Sequence, residues 1–366
     1  MCATRARPRV LLLTSGPLEG QEGADIQLAA VLAETVPDVD FLWFTRWPSR
    51  GLRPRVAGGR PVPVVSLDGL PHPWQRLQVA AAGTVLGHRA DLVHAVLTIG
   101  AGYPLFSRLW PPLLRGRPVL HTVPGVRDPA LLRRCRPLGR TVALSEATAG
   151  DLLRAGFGDV SVIPPPLRID RWPRRPRSSN AVPVVLVTGH HDPAGGAQES
   201  LAAVAAAAAA GVRLRLVMAL RPRSGQNPRA LRAELCARAA EHGIPDVEVL
   251  GTVDDMRSLM DRADVLLYLP RRLGGKADIP LTVLEALATG RPAVLSDHPQ
   301  FRALGDAVVR APRDAPAEAG RQLCRLLQEP RRWNLLAERG RRAVEARFGV
   351  DRFTARYAAL YRELLP

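Results

Sequence analysis

Residues 142–166 read VALSEATAGDLLRAGFGDVSVIPPP. Arg140–Leu144 is a short apolar run of strand type. Ser145-Glu146-Ala147-Thr148 follows with a capping serine and an acid in the first turn, which is how helices open. Val160–Ile163 is β-branched and apolar again, the composition of a second strand. Strand, capped helix and strand in immediate succession predict a βαβ unit, hence parallel pairing through a helical crossover.

The same alternation runs outward in both directions. Upstream, Arg9–Thr14, Asp38–Thr45, Val62–Ser66, Asp91–Leu97 and Pro118–Thr122 read as strands, with helical spacing over Ile26–Val36 and Pro73–Leu86. Downstream, RWPRRPRSSN from Arg171 has no apolar period and reads as a linker. The pattern then restarts with strands at Pro183–Thr188, Arg213–Met218, Val247–Leu250, Val265–Tyr268, Pro292–Leu295 and Ala307–Arg310. Helices are expected over the alanine run from Leu201, Pro228–His242, Met256–Arg262, Leu281–Ala288 and Val350–Leu365. The expectation is an α/β chain of two Rossmann-like, doubly wound parallel-sheet domains facing a cleft. Their bounds are 1–170 and 182–345, with linker 171–181 and a C-terminal helix, 346–366, that returns to the first domain. Ligands of such sheets bind at the strand carboxyl ends.

Composition narrows the classes. The chain has 366 residues and is 46% hydrophobic, enough for two cores. Its four cysteines are widely spaced, which excludes a disulfide scaffold or zinc ribbon and suits a reducing cytoplasm. No apolar run reaches the ~18 residues of a membrane span, and Val10–Leu13 is too short for a signal h-region. The charge is 51 − 34 = +17, yet only one cation is a lysine, Lys276. The other 50 are arginines, the mark of a composition that turns lysine codons into arginine codons, so much of the charge is background. The basic stretches Arg133–Arg140 and Arg168–Arg177 lack interleaved aromatics for stacking bases, so no nucleic-acid partner is expected. Contact with an anionic membrane remains open for either stretch.

Under that bias the one lysine is informative, because a site needing only positive charge would carry arginine. It opens KADIPLTVLEALATGRPAVLSD, residues 276–297. Pro280 suits a helix's first turn, with Asp278 in the capping region. The unpaired amides at Leu281 and Thr282, with the helix dipole, form an anion site beside Lys276. Glu285, about one and a half turns in, is placed to accept bonds from vicinal hydroxyls such as a ribose's. A capped core helix with a solvated glutamate is the plainer alternative. Other chemistries fit less well. His190-His191-Asp192 suggests metal, but neighbours on an extended chain point opposite ways, so no metal site is expected. Asp38-Val39-Asp40 leads into a strand with nothing after it to hold a metal nucleotide. Ser145 lacks the G-x-S-x-G elbow of a hydrolase and reads as a helix cap.

Glu285-Ala286-Leu287-Ala288-Thr289-Gly290-Arg291-Pro292-Ala293 resembles the second half of the donor-binding signature of GT-B-fold retaining glycosyltransferases, the family 4 (group 1) type. The resemblance extends through Gly23-Ala24-Asp25 (a phosphate loop), Asp91–Ala95, Val142–Trp172 and Val249–Val253, about 340 residues in all. It implies transfer from a nucleotide diphosphate sugar to an acceptor (a saccharide, a lipid-linked sugar or a small natural product), with retention of configuration, without metal or other cofactor, and with closure about the linker. Donor contacts are expected from Glu285, Leu281, Thr282, Pro280, Gly189, His190, Arg221, Gly23, Ala24, Gly251 and Thr252. Catalytic roles are expected for Lys276, Asp278 and His121, the last at a strand end facing the acceptor. The sequence also departs from the family. Ala277 stands where the first signature glutamate belongs, with Asp278 one position off. His190 and Gly195 replace the arginine and lysine of the phosphate clamp, Pro124 replaces a histidine, and Glu22 the first loop glycine. Two readings follow: a rebuilt, active site in which Lys276 supplies the phosphate charge, helped by Arg221 or Arg223, or a glycosyltransferase-like binding protein without turnover.

Overall fold

The computed structural model describes residues 7–16, 18, 23–46, 59–65, 73–223, 225–274 and 277–365. Lys276, Glu22 and Ser66 lie outside the described residues. The chain forms two compact units: residues 1–166 with 274–278 and 350–366, and residues 167–273 with 279–349.

The first unit contains strands β1 (Arg9–Leu13), β2 (Asp40–Arg46), β3 (Arg60–Val65), β4 (Leu92–Val96), β5 (Val119–Val123), β6 (Arg140–Ala143) and β7 (Val160–Val162). Helices α1 (Ala24–Thr35), α2 (Pro73–Gly87), α3 (Tyr103–Leu113) and α4 (Glu146–Arg154) connect them. The sheet order is β3-β2-β1-β4-β5-β6-β7 and every pair is parallel. A sheet covered on both faces needs apolar residues on both, and β1 sends Val10 and Leu12 into one core, Leu11 and Leu13 into the other. Helix α3 falls outside the sequence expectation. Ser145 caps α4 as expected, its Oγ accepting from the Thr148 amide at 3.2 Å.

The second unit repeats the plan with β8 (Val184–His190), β9 (Arg215–Arg221), β10 (Val247–Leu250), β11 (Val265–Tyr268), β12 (Ala293–Ser296) and β13 (Val309–Ala311). Its helices are α5 (Ala197–Ala209), α6 (Pro228–Glu241), α7 (Met256–Arg262), α8 (Leu281–Ala288), α9 (Pro316–Gln328) and α10 (Pro330–Arg347). The order β10-β9-β8-β11-β12-β13 is again all parallel, and the winding reverses between β8 and β11. That switch point is where a doubly wound sheet leaves a crevice at its carboxyl edge.

Two segments join distant parts of the sequence. The stretch read as a linker is fixed to the second unit. The Arg175 amide donates to Thr289 O at 3.0 Å, and the buried Arg291 guanidinium donates to Pro176 O at 2.7 Å. The Arg177 guanidinium stacks over Trp333 at 5.4 Å. The last helix, α11 (Val350–Leu364), packs in the first unit through Phe353, Tyr357, Leu360 and Tyr361. A buried polar chain seats it. His94 is bonded to Tyr361 Oη at 2.6 Å and to Thr122 Oγ1 at 2.8 Å, and Thr122 to Tyr357 Oη at 2.7 Å. Burial and the neighbouring His121 push the His94 pKa down to about 3, so the imidazole is neutral.

Candidate active site

The site residues of the second unit gather on the carboxyl ends of its strands. Helix α8 starts at Leu281 behind Pro280, which has no amide hydrogen and whose carbonyl accepts from Val283 N at 3.0 Å. Leu281 and Thr282 therefore keep the two amides that a helix start leaves free. One and a half turns on, the Glu285 carboxylate has no hydrogen bond or ion pair among the described residues. Burial alone raises its pKa from 4.5 to about 7. A half-buried carboxylate without a partner is open to a ligand that can donate hydrogen bonds to it.

Opposite α8 across the switch point, β8 ends in Gly189 and His190, and the chain turns through 191–196 into α5. The loop is tight. A Cβ on Gly196, whose φ is +94°, would stand 2.5 Å from Leu269 C and O, and one on Gly195 2.6 Å from His190 O. Asp192 inside it pairs with Arg223 at 3.0 Å. Of the two arginines after β9, Arg223 is thus engaged, while the Arg221 side chain has no partner among the described residues. Gly251 and Thr252 stand exposed just past β10.

The same loop borders a cavity of about 460 Å³ lined by Pro193, Ala194, Arg271, Arg272, Arg313 and Asp314. Sequence reasoning missed these arginines, although the Arg271–Arg272 doublet follows the carboxyl end of β11, where such a site is built. Arg271 is held by Glu199 at 2.8 Å and donates to Pro193 O at 3.2 Å. The side chains of Arg272 and Arg313 have no partner among the described residues, and no cluster of metal-ligand type occurs there either.

The first unit corrects two expectations. His121 does not face an acceptor: it lies mid-strand in β5, fully buried, bonded to Tyr103 Oη and to Leu97 O, both at 3.0 Å. The Tyr103 ring stacks on it at 5.3 Å, and burial lowers its pKa to about 4. It is a core histidine with both nitrogens satisfied. Asp278 does not cap α8, which has no side-chain cap. It belongs to the first unit, where it accepts from Ser145 Oγ at 2.7 Å and Thr148 Oγ1 at 2.9 Å, and its amide donates to Pro124 O at 3.0 Å. Burial raises its pKa to about 7 against those two bonds. Gly23 and Ala24 open α1, Gly23 at a φ of +102° that favours glycine. The Asp25 carboxylate behind them accepts from the Ser15 amide at 2.9 Å. Asp40 of the Asp38-Val39-Asp40 triplet is engaged by Arg60 at 3.3 Å, a structural use.

Two parallel-sheet units with these connections are the GT-B fold. Residues 182–329 match the family model of glycosyl transferases group 1. That match covers most of the second unit, and the chain as a whole has the GT-B fold. Among solved structures, sucrose-phosphate synthase from Thermosynechococcus elongatus is similar at a TM-score of 0.80 and 16% identity, over 98% of this chain and 99% of that one. HepE from Anabaena in complex with UDP and glucose is similar at 0.76 and 15%, over 97% and 100%. The α,α-trehalose 6-phosphate synthase from Burkholderia multivorans is similar at 0.70 and 13%, over 98% and 99%. Among curated proteins no sequence relative matches.

Proposed function

We propose that this chain moves a sugar from a nucleotide diphosphate sugar to an acceptor hydroxyl, retaining anomeric configuration and using no metal. The observation that carries the reading is the unpaired Glu285 carboxylate, raised to a pKa of about 7, on a helix whose free amides open at the carboxyl edge of the sheet. Vicinal ribose hydroxyls donating to that carboxylate would stabilise its charged form, and the diphosphate would meet the Leu281 and Thr282 amides. As the glycosidic bond breaks, negative charge grows on the leaving diphosphate, and preorganised donors stabilise that charge. Lys276, on the segment entering α8, and Arg221 at the end of β9 are proposed to supply the cationic share. HepE, a structure of the same fold, was solved with UDP and glucose, which supports a nucleotide-sugar donor.

Thermal-shift screening against uridine, guanosine, thymidine and adenosine diphosphates tests the donor. A ligand at about 100 times its Kd stabilises the native protein by about 2.7 kcal/mol. One diphosphate raising the melting point in wild type but not in Glu285→Ala is the expected result. No shift with any of the four, or equal shifts in both proteins, overturns the reading. A shift without transfer in a donor screen would leave a nucleotide-sugar binding protein instead.

A further inference from the structure

Among the described residues, eight large apolar side chains stand exposed, and six of them lie on α2 and α3: Trp74, Leu77, Val85, Leu105, Leu109 and Leu113, each 54–69% exposed. Their spacing is helical. On α2, Trp74, Leu77, Ala81 and Val85 share one face, and on α3 Leu105, Leu109 and Leu113 recur every fourth residue. Each helix buries its opposite side against the first sheet, with Tyr103, Trp110, Ala80 and Leu86 in that core. The two helices also touch. Trp110 Nε1 donates to Ala80 O at 3.3 Å, and its ring lies over Gly83, where a Cβ would stand 3.7 Å away. The exposed stripes therefore run side by side as one patch, larger than scattered surface leucines explain.

Within the segment that carries the patch, exposed charge is of one sign. Residues 73–117 contain five arginines, Arg76, Arg89, Arg108, Arg115 and Arg117, all exposed, and one acid, Asp91. That acid is engaged by the Arg9 amide at 2.7 Å. Two apolar stripes framed by arginines without exposed acids match the surface of an anionic bilayer, where hydrocarbon lies beneath phosphate. A second copy of the chain fits less well, since self-pairing about a two-fold axis would set arginine against arginine. No helix among the described residues is long and apolar enough to cross a membrane.

We propose that α2 and α3 lie flat on an anionic lipid membrane, the leucines and Trp74 entering the headgroup boundary while the arginines bind lipid phosphates. This places the membrane contact on residues 73–117 rather than on Arg133–Arg140 or Arg168–Arg177, and it holds whatever sugar the protein transfers. The test is co-sedimentation of the full chain with vesicles of phosphatidylcholine alone or mixed with phosphatidylglycerol, at low and high salt. Partition onto the anionic vesicles is expected to be at least tenfold stronger, and to fall at least tenfold in Leu105→Asp/Leu109→Asp. Arg108→Glu/Arg115→Glu should lose mainly the salt-sensitive part. Melting points within a few degrees of wild type show that the variants fold. Loss of the blue shift of tryptophan emission in Trp74→Phe gives a readout that does not depend on a charged substitution. The proposal is overturned if wild type stays in the supernatant with anionic vesicles at low salt, or if the aspartate variant sediments as wild type does. It is equally overturned if light scattering shows a dimer that the variants dissolve while vesicle binding is absent.

Discussion

Replacing Glu285 with glutamine should stabilise the protein at alkaline pH while weakening its grip on nucleotide. The carboxyl titrates near 4.5 in an unfolded chain and at about 7 in the native one, with burial the sole cause. Because the native pKa is the higher, the native state holds more protons than the unfolded state between those values. The contribution to stability is thus fully present below about pH 4.5, declines as pH rises, and is gone above about pH 7. At about 1.36 kcal/mol per pH unit of displacement, the penalty for ionising Glu285 is at most about 3 kcal/mol. Water penetration reduces this to about 1–2 kcal/mol. Glutamine carries no charge to desolvate, so at pH 8 the variant should be more stable by that amount, and at pH 5 nearly equal to wild type. For a unit of 150–250 residues this is roughly 2–8 °C in Tm. Asp278, also titrating at about 7, contributes equally to both proteins and cancels in the difference. Calorimetry at pH 5 and pH 8 on both proteins reads the effect, and nucleotide titration reads the other half. Loss of hydrogen bonds to a charged acceptor, about 1.5–3 kcal/mol each, should weaken binding at least tenfold. A variant that melts with wild type at pH 8, or binds nucleotide as well, refutes the assignment of an unpaired, ligand-seeking carboxylate.

Other perturbations follow from the same geometry. If Lys276 is retained because a compact ammonium is needed there, Lys276→Ala should lower transfer at least tenfold and Lys276→Arg should fail to restore it, as measured by initial rates at saturating donor. Gly196→Ala forces a Cβ to within 2.5 Å of Leu269 and strains a φ of +94°. The cost should be about 3 kcal/mol or more in urea unfolding, from backbone strain and overpacking together. Tyr361→Phe leaves His94 Nδ1 without its partner and should cost about 1–3 kcal/mol, read from the urea midpoint.

The sheets were legible because their strands are short apolar runs between turn signals, and parallel strands buried on both faces allow little else. Helix α3 was not, and the reason is local. Pro111 and Pro112 stand in its last turn and Pro104 in its first, so the stretch reads as broken, although prolines near the ends cost a helix few hydrogen bonds. That omission explains the error at His121, since it is Tyr103 of α3 that covers the imidazole. Asp278 failed for a different reason. Its partners Ser145 and Thr148 lie more than a hundred positions away, and no periodicity records a pairing between side chains so remote in sequence. The place of Glu285 on α8 could be read because the helix start and the spacing from it are contiguous. Exposure of the leucines on α2 and α3 could not, since an apolar stripe on a helix ordinarily marks its buried side.

Why the family's phosphate clamp is missing bears on whether the site still works. Substitution alone could mean decay, but position 195 shows more than an exchanged residue. Where the family carries a lysine, this backbone brings His190 O to 2.6 Å and Asp192 O to 3.0 Å from where a Cβ would stand. No side chain fits there, so restoring the lysine would break the loop rather than the deadlock. The loop has also consumed its nearest cation, because Asp192 is paired with Arg223. Arg271 is likewise held, by Glu199. The tight loop leaves no room for that lysine, while the Glu285 carboxylate on α8 has no partner among the described residues. In the proposed reading, cationic help for a diphosphate is assigned to Arg221 and to the segment between β11 and α8, where the only lysine among 51 basic side chains occurs. Lys276→Ala alone distinguishes the two histories. Transfer and nucleotide binding that stay at the wild-type level refute a site rebuilt around Lys276, whereas a loss of at least tenfold in initial rate supports it.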